Sequence, residues 1–114
     1  MLSNKKITVL GAGMVGRTIA RELAKQHKIT SIDYSTENLR KLAEKDATIT
    51  CIPADLSQAD THFSELVSDA DLVISAVPGF LGYRVLEQII LSGKNVVDIS
   101  FFPESIDPLH QLAI

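Results

Sequence analysis

Five short apolar runs punctuate this chain, and after each the hydrophobic period changes from strand-like to helix-like. Lys5–Leu10, Lys28–Ile32, Ala47–Ile52, Leu72–Val77 and Asn95–Ile99 read as strands, the first apolar throughout, as expected of a strand buried on both faces. Met14–Gln26 reads as the first helix. Gly16, Ile19, Ala20 and Leu23 make its inner stripe, with Arg17, Arg21 and Lys25 on the other side. Ser35 is placed to cap a second helix that buries Leu39, Leu42 and Ala43 and turns Glu37, Arg40, Lys41, Glu44 and Lys45 to water. Ser57 opens a third, packing through Ala59, Phe63, Leu66 and Val67. The fourth runs from about Leu81 to Leu91, burying Val85, Leu86, Ile89 and Ile90, and Gly93 stops it. Ser105–Leu112 is weakly helical.

Strands alternating with helices through short loops predict an α/β fold with a parallel sheet and helices on both faces. Right-handed crossovers then give a Rossmann-type doubly wound sheet of five strands, order 3-2-1-4-5. Residues 1–114 form one domain on this reading. The chain ends abruptly on apolar Leu112-Ala113-Ile114, which reads as the N-terminal part of something longer.

Composition narrows the partners. Of 114 residues, 46% are hydrophobic and 22% charged, and a net charge of −3 gives no sign of nucleic acid or an anionic membrane as partner. Cys51 is the sole cysteine, so no internal disulfide forms, which suits a reducing compartment. The N-terminus has no secretory apolar region, and no run approaches the roughly 18 residues that span a bilayer. The expected location is the cytoplasm. His27, His62 and His110 have no metal-like spacing with one another or with Cys51, so no metal site is expected. The histidines read as surface or partly buried, and Cys51 as a small core residue.

The chemistry centres on Gly11-Ala12-Gly13-Met14-Val15-Gly16, set between the first strand and the first helix. In that setting Gly-x-Gly-x-x-Gly is a dinucleotide fingerprint. Gly11 permits the turn, Gly13 lets main chain approach a pyrophosphate, and Gly16 brings helix against strand. Around Met14 and Val15 the helix start offers unpaired N–H groups and roughly half a positive charge to the anion.

Asp33 ends the second strand about 20 residues past the glycines, where an acid accepts hydrogen bonds from the adenosine ribose. A 2′-phosphate there meets a like charge. At about 4 Å and an effective dielectric of 20, each charge pair costs on the order of 4 kcal/mol before screening. NAD is therefore expected in preference to NADP, unless Arg40 or Lys41 swings over to compensate. Asp55 and Leu56 follow the third strand, beside the expected adenine. Asp55 suits either the adenine amino group or a simple turn, and Leu56 the ring face. Val77 and Pro78 end the fourth strand across the switch point from the glycines, where main chain lines the nicotinamide ribose; Pro78-Gly79 also serves simply to break the strand. Asp98 and Ser100 lie further along the rim and read more readily as polar strand ends. Arg17 is within reach of a phosphate but reads more readily as solvated.

Val9–Gly16, Asp71–Pro78 and Gly93–Phe101 together resemble the N-terminal nucleotide-binding domain of the saccharopine dehydrogenase family, over nearly the whole chain. The resemblance implies an NAD(P)-dependent oxidoreductase acting at a C–N bond of an amino acid or imine. It also implies a downstream domain for catalysis and dimerisation, hence a homodimer with a small amino-acid substrate. The family's substrate-binding residues lie mostly in that downstream part, so no catalytic residue is assigned here. Asp33 departs from members that use NADP. The alternative is a non-catalytic NAD(H) sensor, similar to the regulatory domains of potassium channels and transporters, which share the glycine loop and the two acids. The apolar Gly79-Phe80-Leu81-Gly82 after the fourth strand favours the enzyme.

Overall fold

The computed structural model describes residues 4–57, 63–77 and 79–99, with side chains from residue 84 onward in the last segment. In chain order the elements are β1 (Lys6–Leu10), α1 (Met14–Leu23), β2 (Lys28–Asp33), α2 (Thr36–Lys45), β3 (Thr50–Pro53), α3 (Phe63–Val67), β4 (Leu72–Ser75), α4 (Gly79–Leu91) and β5 (Val96–Asp98). The strands form one parallel sheet, order β3-β2-β1-β4-β5, as the alternation predicts. Val9 lies between Ser31 of β2 and Ile74 of β4, which fixes the register of the three central strands.

Strand geometry sends alternate side chains to opposite faces, and each face has its own core. Ile7, Val9, Ile29 and Ile74 pack with Ala20 of α1 and Leu42 of α2. Leu10, Ile32 and Val73 face the other way, onto Phe63 and Val67 of α3 and Val85 and Ile89 of α4. Val9, Leu10, Ile32, Leu42, Val67, Val73 and Ile89 are wholly enclosed. Each fully buried aliphatic of this kind contributes roughly 1.5–3 kcal/mol of hydrophobic stabilisation.

Several boundaries differ from the sequence reading, each for a local reason. α1 ends at Leu23 instead of Gln26 because Lys25 and Gln26 donate to carbonyls three residues back, tightening the exit into β2. β3 begins at Thr50 rather than Ala47. Asp46 caps a turn there, its Oδ1 accepting the Thr48 N–H at 2.9 Å and the Thr48 hydroxyl at 2.5 Å. α4 starts at Gly79, two residues early. Ala43 and Ile90, expected on inner faces, are exposed, while their neighbours Leu42 and Ile89 are wholly buried. Ala59, His62, the start of the third helix and the Ser105–Leu112 helix fall outside the described residues, as does His110. Among the described residues no helix is long and apolar enough to cross a membrane.

Candidate functional site

The turn after β1 is clamped between its neighbours at the carboxyl edge of the sheet. The Gly11 N–H donates to the Ile32 carbonyl at 2.7 Å, and the Ala76 N–H donates to the Leu10 carbonyl at 2.8 Å. Gly11 has φ +98°, and a Cβ there would lie 2.6 Å from the Ala76 carbonyl oxygen. Conformation and space both demand glycine. At Gly16 a Cβ would lie 2.1 Å from the Gly11 carbonyl oxygen, so the helix seats directly on the turn.

Gly13 is different. Its backbone is extended, with φ −69° and ψ −170°, and a Cβ on it would meet nothing within 4 Å. The protein's own packing therefore makes no demand for glycine here; the bare main chain faces open space. Gly13 is also the N-cap of α1, and no side chain caps the helix or places an acid in its first turn. The contrast with α2 is direct: there the Ser35 Oγ accepts the Asn38 N–H at 3.1 Å, and Glu37 sits in the first turn. An uncapped helix start beside open main chain suits a bound anion, and these residues fit a dinucleotide diphosphate. Met14 and Val15 are exposed on the same turn, at 78% and 59%.

Asp33, on the neighbouring strand, is only 9% exposed. Its Oδ2 accepts from the Asn38 side-chain amide at 3.3 Å. The Asn38 Oδ1 in turn accepts from an Arg17 guanidinium nitrogen at 3.2 Å, and that nitrogen also donates to the Ala12 carbonyl at 3.0 Å. Side chains thus tie the glycine turn to the start of α2. Arg17 is half-buried in this bridge rather than solvated. Asn38 was not anticipated at all. The usable signal is its place three residues after a capping serine, where a polar side chain normally folds back on the cap; here it turns to Asp33 instead.

Arg40 does not swing toward Asp33. It is engaged by Glu37 and Glu44 on the outer face of α2, and the Glu37 carboxyl is held below its usual range by the bond from Arg40. Lys41 is exposed and lines a groove between α1 and α2 together with Arg17, Arg21 and Lys45.

The remaining rim positions are mixed. Asp55 is exposed and makes a turn: its Oδ1 accepts the Ser57 N–H at 2.9 Å and the Ser57 hydroxyl at 2.5 Å. Leu56 is buried at 7% exposure, in the core with Phe63 and Val67. β4 ends at Ser75, so Val77 lies buried two residues beyond the strand rather than in it, while Pro78 and Ser100 lie outside the described residues. Asp98 pairs with Ser75 in the β4–β5 register. Among the described residues no three His, Cys, Asp or Glu side chains gather as metal ligands. Cys51 is half-buried, and burial pushes its thiol up.

Fold and turn together define a dinucleotide-binding domain of the Rossmann type. The chain belongs to the saccharopine dehydrogenase NADP binding domain family, whose model matches residues 7–113. Its fold is similar to that of apo saccharopine dehydrogenase (L-Glu forming) from Saccharomyces cerevisiae, at TM-score 0.75 and 24% identity over 93% of this chain and 24% of that one. It is also similar to the UDP-N-acetylglucosamine 3-dehydrogenase GnnA from Acidithiobacillus ferrooxidans, at TM-score 0.71 and 19% identity over 96% of this chain and 34% of that one. A 3-hydroxyacyl-CoA dehydrogenase from Archaeoglobus fulgidus follows at TM-score 0.65 and 22% identity, over 86% of this chain and 34% of that one. The chain spans about a quarter to a third of the length of these structures. Comparison with curated proteins gives no sequence match.

Proposed function

We propose that this chain is the cofactor-binding domain of a longer NAD(P)-dependent oxidoreductase acting on a C–N bond of an amino acid. Its family supports that reading, as does its span of 24% of the yeast enzyme. On this reading the catalytic residues lie in another domain, and the working enzyme is a homodimer. Exposed Val97 on the outermost strand and Ile99 just after it support self-association.

When bound, the nicotinamide supplies hydride transfer. The chain's own residues hold it. Main chain from Gly11 to Gly16 takes the diphosphate, and Asp33 takes the ribose hydroxyls. The observation that carries the reading is the pairing of an open, uncapped α1 start with a nearly buried Asp33 on the next strand. A carboxylate there favours NAD, although the family is named for NADP.

Calorimetry with NADH and NADPH tests the assignment. NADH binds at least as tightly as NADPH in the wild type. Asp33→Ala weakens NADH by about tenfold or more, the value of a hydrogen bond to a charged group, and narrows the gap between the two. Tighter NADPH binding in the wild type overturns the NAD preference, and absence of binding by either at millimolar concentration overturns the site. For the reaction, the longer gene product forms NADH from NAD with an amino acid such as lysine or saccharopine. Binding without turnover of any amino acid would favour the sensor.

A further inference from the structure

We propose that Arg17 is the residue that admits a 2′-phosphorylated dinucleotide to this site, so that the domain uses both NAD and NADP. The inference rests on the dinucleotide reading above. It begins from a conflict: a nearly buried acid at the ribose position in a chain whose family is named for NADP.

A second charge bears on that acid. The Arg17 guanidinium lies one carboxamide away, with 3.2 Å from Arg17 to Asn38 and 3.3 Å from Asn38 to Asp33. Among the described residues its hydrogen-bond acceptors are the Ala12 carbonyl and the Asn38 amide oxygen, both neutral. Its positive charge is therefore not cancelled by an ion pair there. A guanidinium has five N–H donors in a planar fork, a geometry that matches phosphate oxygens.

The other candidates are less suited. Arg40 is occupied by Glu37 and Glu44. Tyr34, Ser35 and Thr36, which follow Asp33, carry no charge. Lys41 lines the same groove as Arg17 and adds to the positive field without reaching Asp33 by any hydrogen bond among the described residues. Asn38 is the joint: its amide carries a donor toward Asp33 and an acceptor toward Arg17, and an amide is able to exchange one for the other by rotation. With NAD, Asp33 accepts the ribose hydroxyls and Arg17 stays on Asn38. With NADP, the phosphate takes the place of the Asn38 oxygen as the partner of Arg17, and the acid's charge is offset.

Calorimetry at low salt with NADH and NADPH, on wild type, Arg17→Met and Arg17→Lys, tests this. Methionine keeps most of the apolar stem and removes the charge. The wild type binds both cofactors within about tenfold. Arg17→Met weakens NADPH by about ten- to a hundredfold, as expected for a lost charged hydrogen bond, and NADH by less than about threefold. Arg17→Lys retains part of the NADPH affinity at an unchanged melting temperature. Equal weakening of both cofactors by Arg17→Met places Arg17 on the shared diphosphate and overturns the proposal, as does no change in either. Failure of the wild type to bind NADH overturns the parent reading; NADH binding with an unaltered NADPH ratio in Arg17→Met overturns this one alone.

Discussion

Gly16 and Gly11 touch through the one atom that neither can give up: a methyl at Gly16 would lie 2.1 Å from the Gly11 carbonyl oxygen. That oxygen belongs to main chain already pinned by the bond from the Gly11 N–H to Ile32, so it cannot step aside. Gly16→Ala is expected to destabilise the domain by about 3 kcal/mol, at the upper end for overpacking. Gly13→Ala, with open space around it, should cost less than about 1 kcal/mol. Urea unfolding of the two variants checks this; equal losses would show that the turn is looser than described.

Ser31 is wholly buried in β2, and its hydroxyl has no hydrogen-bond partner among the described residues. A buried unsatisfied hydroxyl costs roughly 1–3 kcal/mol. Ser31→Ala is therefore expected to raise stability by about 1 kcal/mol, a few degrees in melting temperature for a domain of this size. Calorimetric melting measures it, and a lower midpoint would count against it.

Asp46 gives a pH dependence with a definite sign. The Thr48 hydroxyl, and then the Thr48 N–H, hold its carboxyl below the ordinary value of 3.8. A carboxyl depressed by folding stabilises the protein above its unfolded pKa and loses that contribution as pH falls through the lower, folded one. The turn into β3 should thus survive to pH values below the usual aspartate range and then open. Following the Thr48 amide resonance through an acid titration shows the midpoint. Thr48→Ala, which removes the larger cause, moves it up toward 3.8.

Cys51 is expected to be sluggish toward alkylation. Burial raises its thiol above the ordinary value of 9.0, so little thiolate is present at pH 8. Iodoacetamide labelling of the native chain should lag well behind that of the urea-unfolded chain. Equal rates would mean that the α2–β3 layer opens readily.

Much of the fold was legible because its signals are local. Apolar runs named the strands, and the glycines named the turn by their spacing together with their place between a strand and a helix. The positions that escaped depend on distant approach. Arg17 and Asn38 are 21 residues apart in sequence, and no period on either helix shows that a guanidinium and an amide will meet over Asp33. Nor does the sequence show that Leu56 packs in one core with Phe63 and Val67. Ala43 and Ile90 each adjoin a buried neighbour, and sequence alone did not say which of each pair would face outward.

The rim of the sheet has one more property. Beyond the regular strands, hydrogen bonds join Gly11 to Ile32, Ala54 to Asp33, Ala76 to Leu10 and Ile99 to Ser75. The chain leaving β1, β3, β4 and β5 is thereby moored to a neighbouring strand through peptide groups rather than side chains. Apart from Gly11 and Gly16, which the backbone itself requires, residues along the mouth can be exchanged one at a time while the frame holds still, so ligand preference in such a domain can drift by point substitution without the scaffold having to be reinvented.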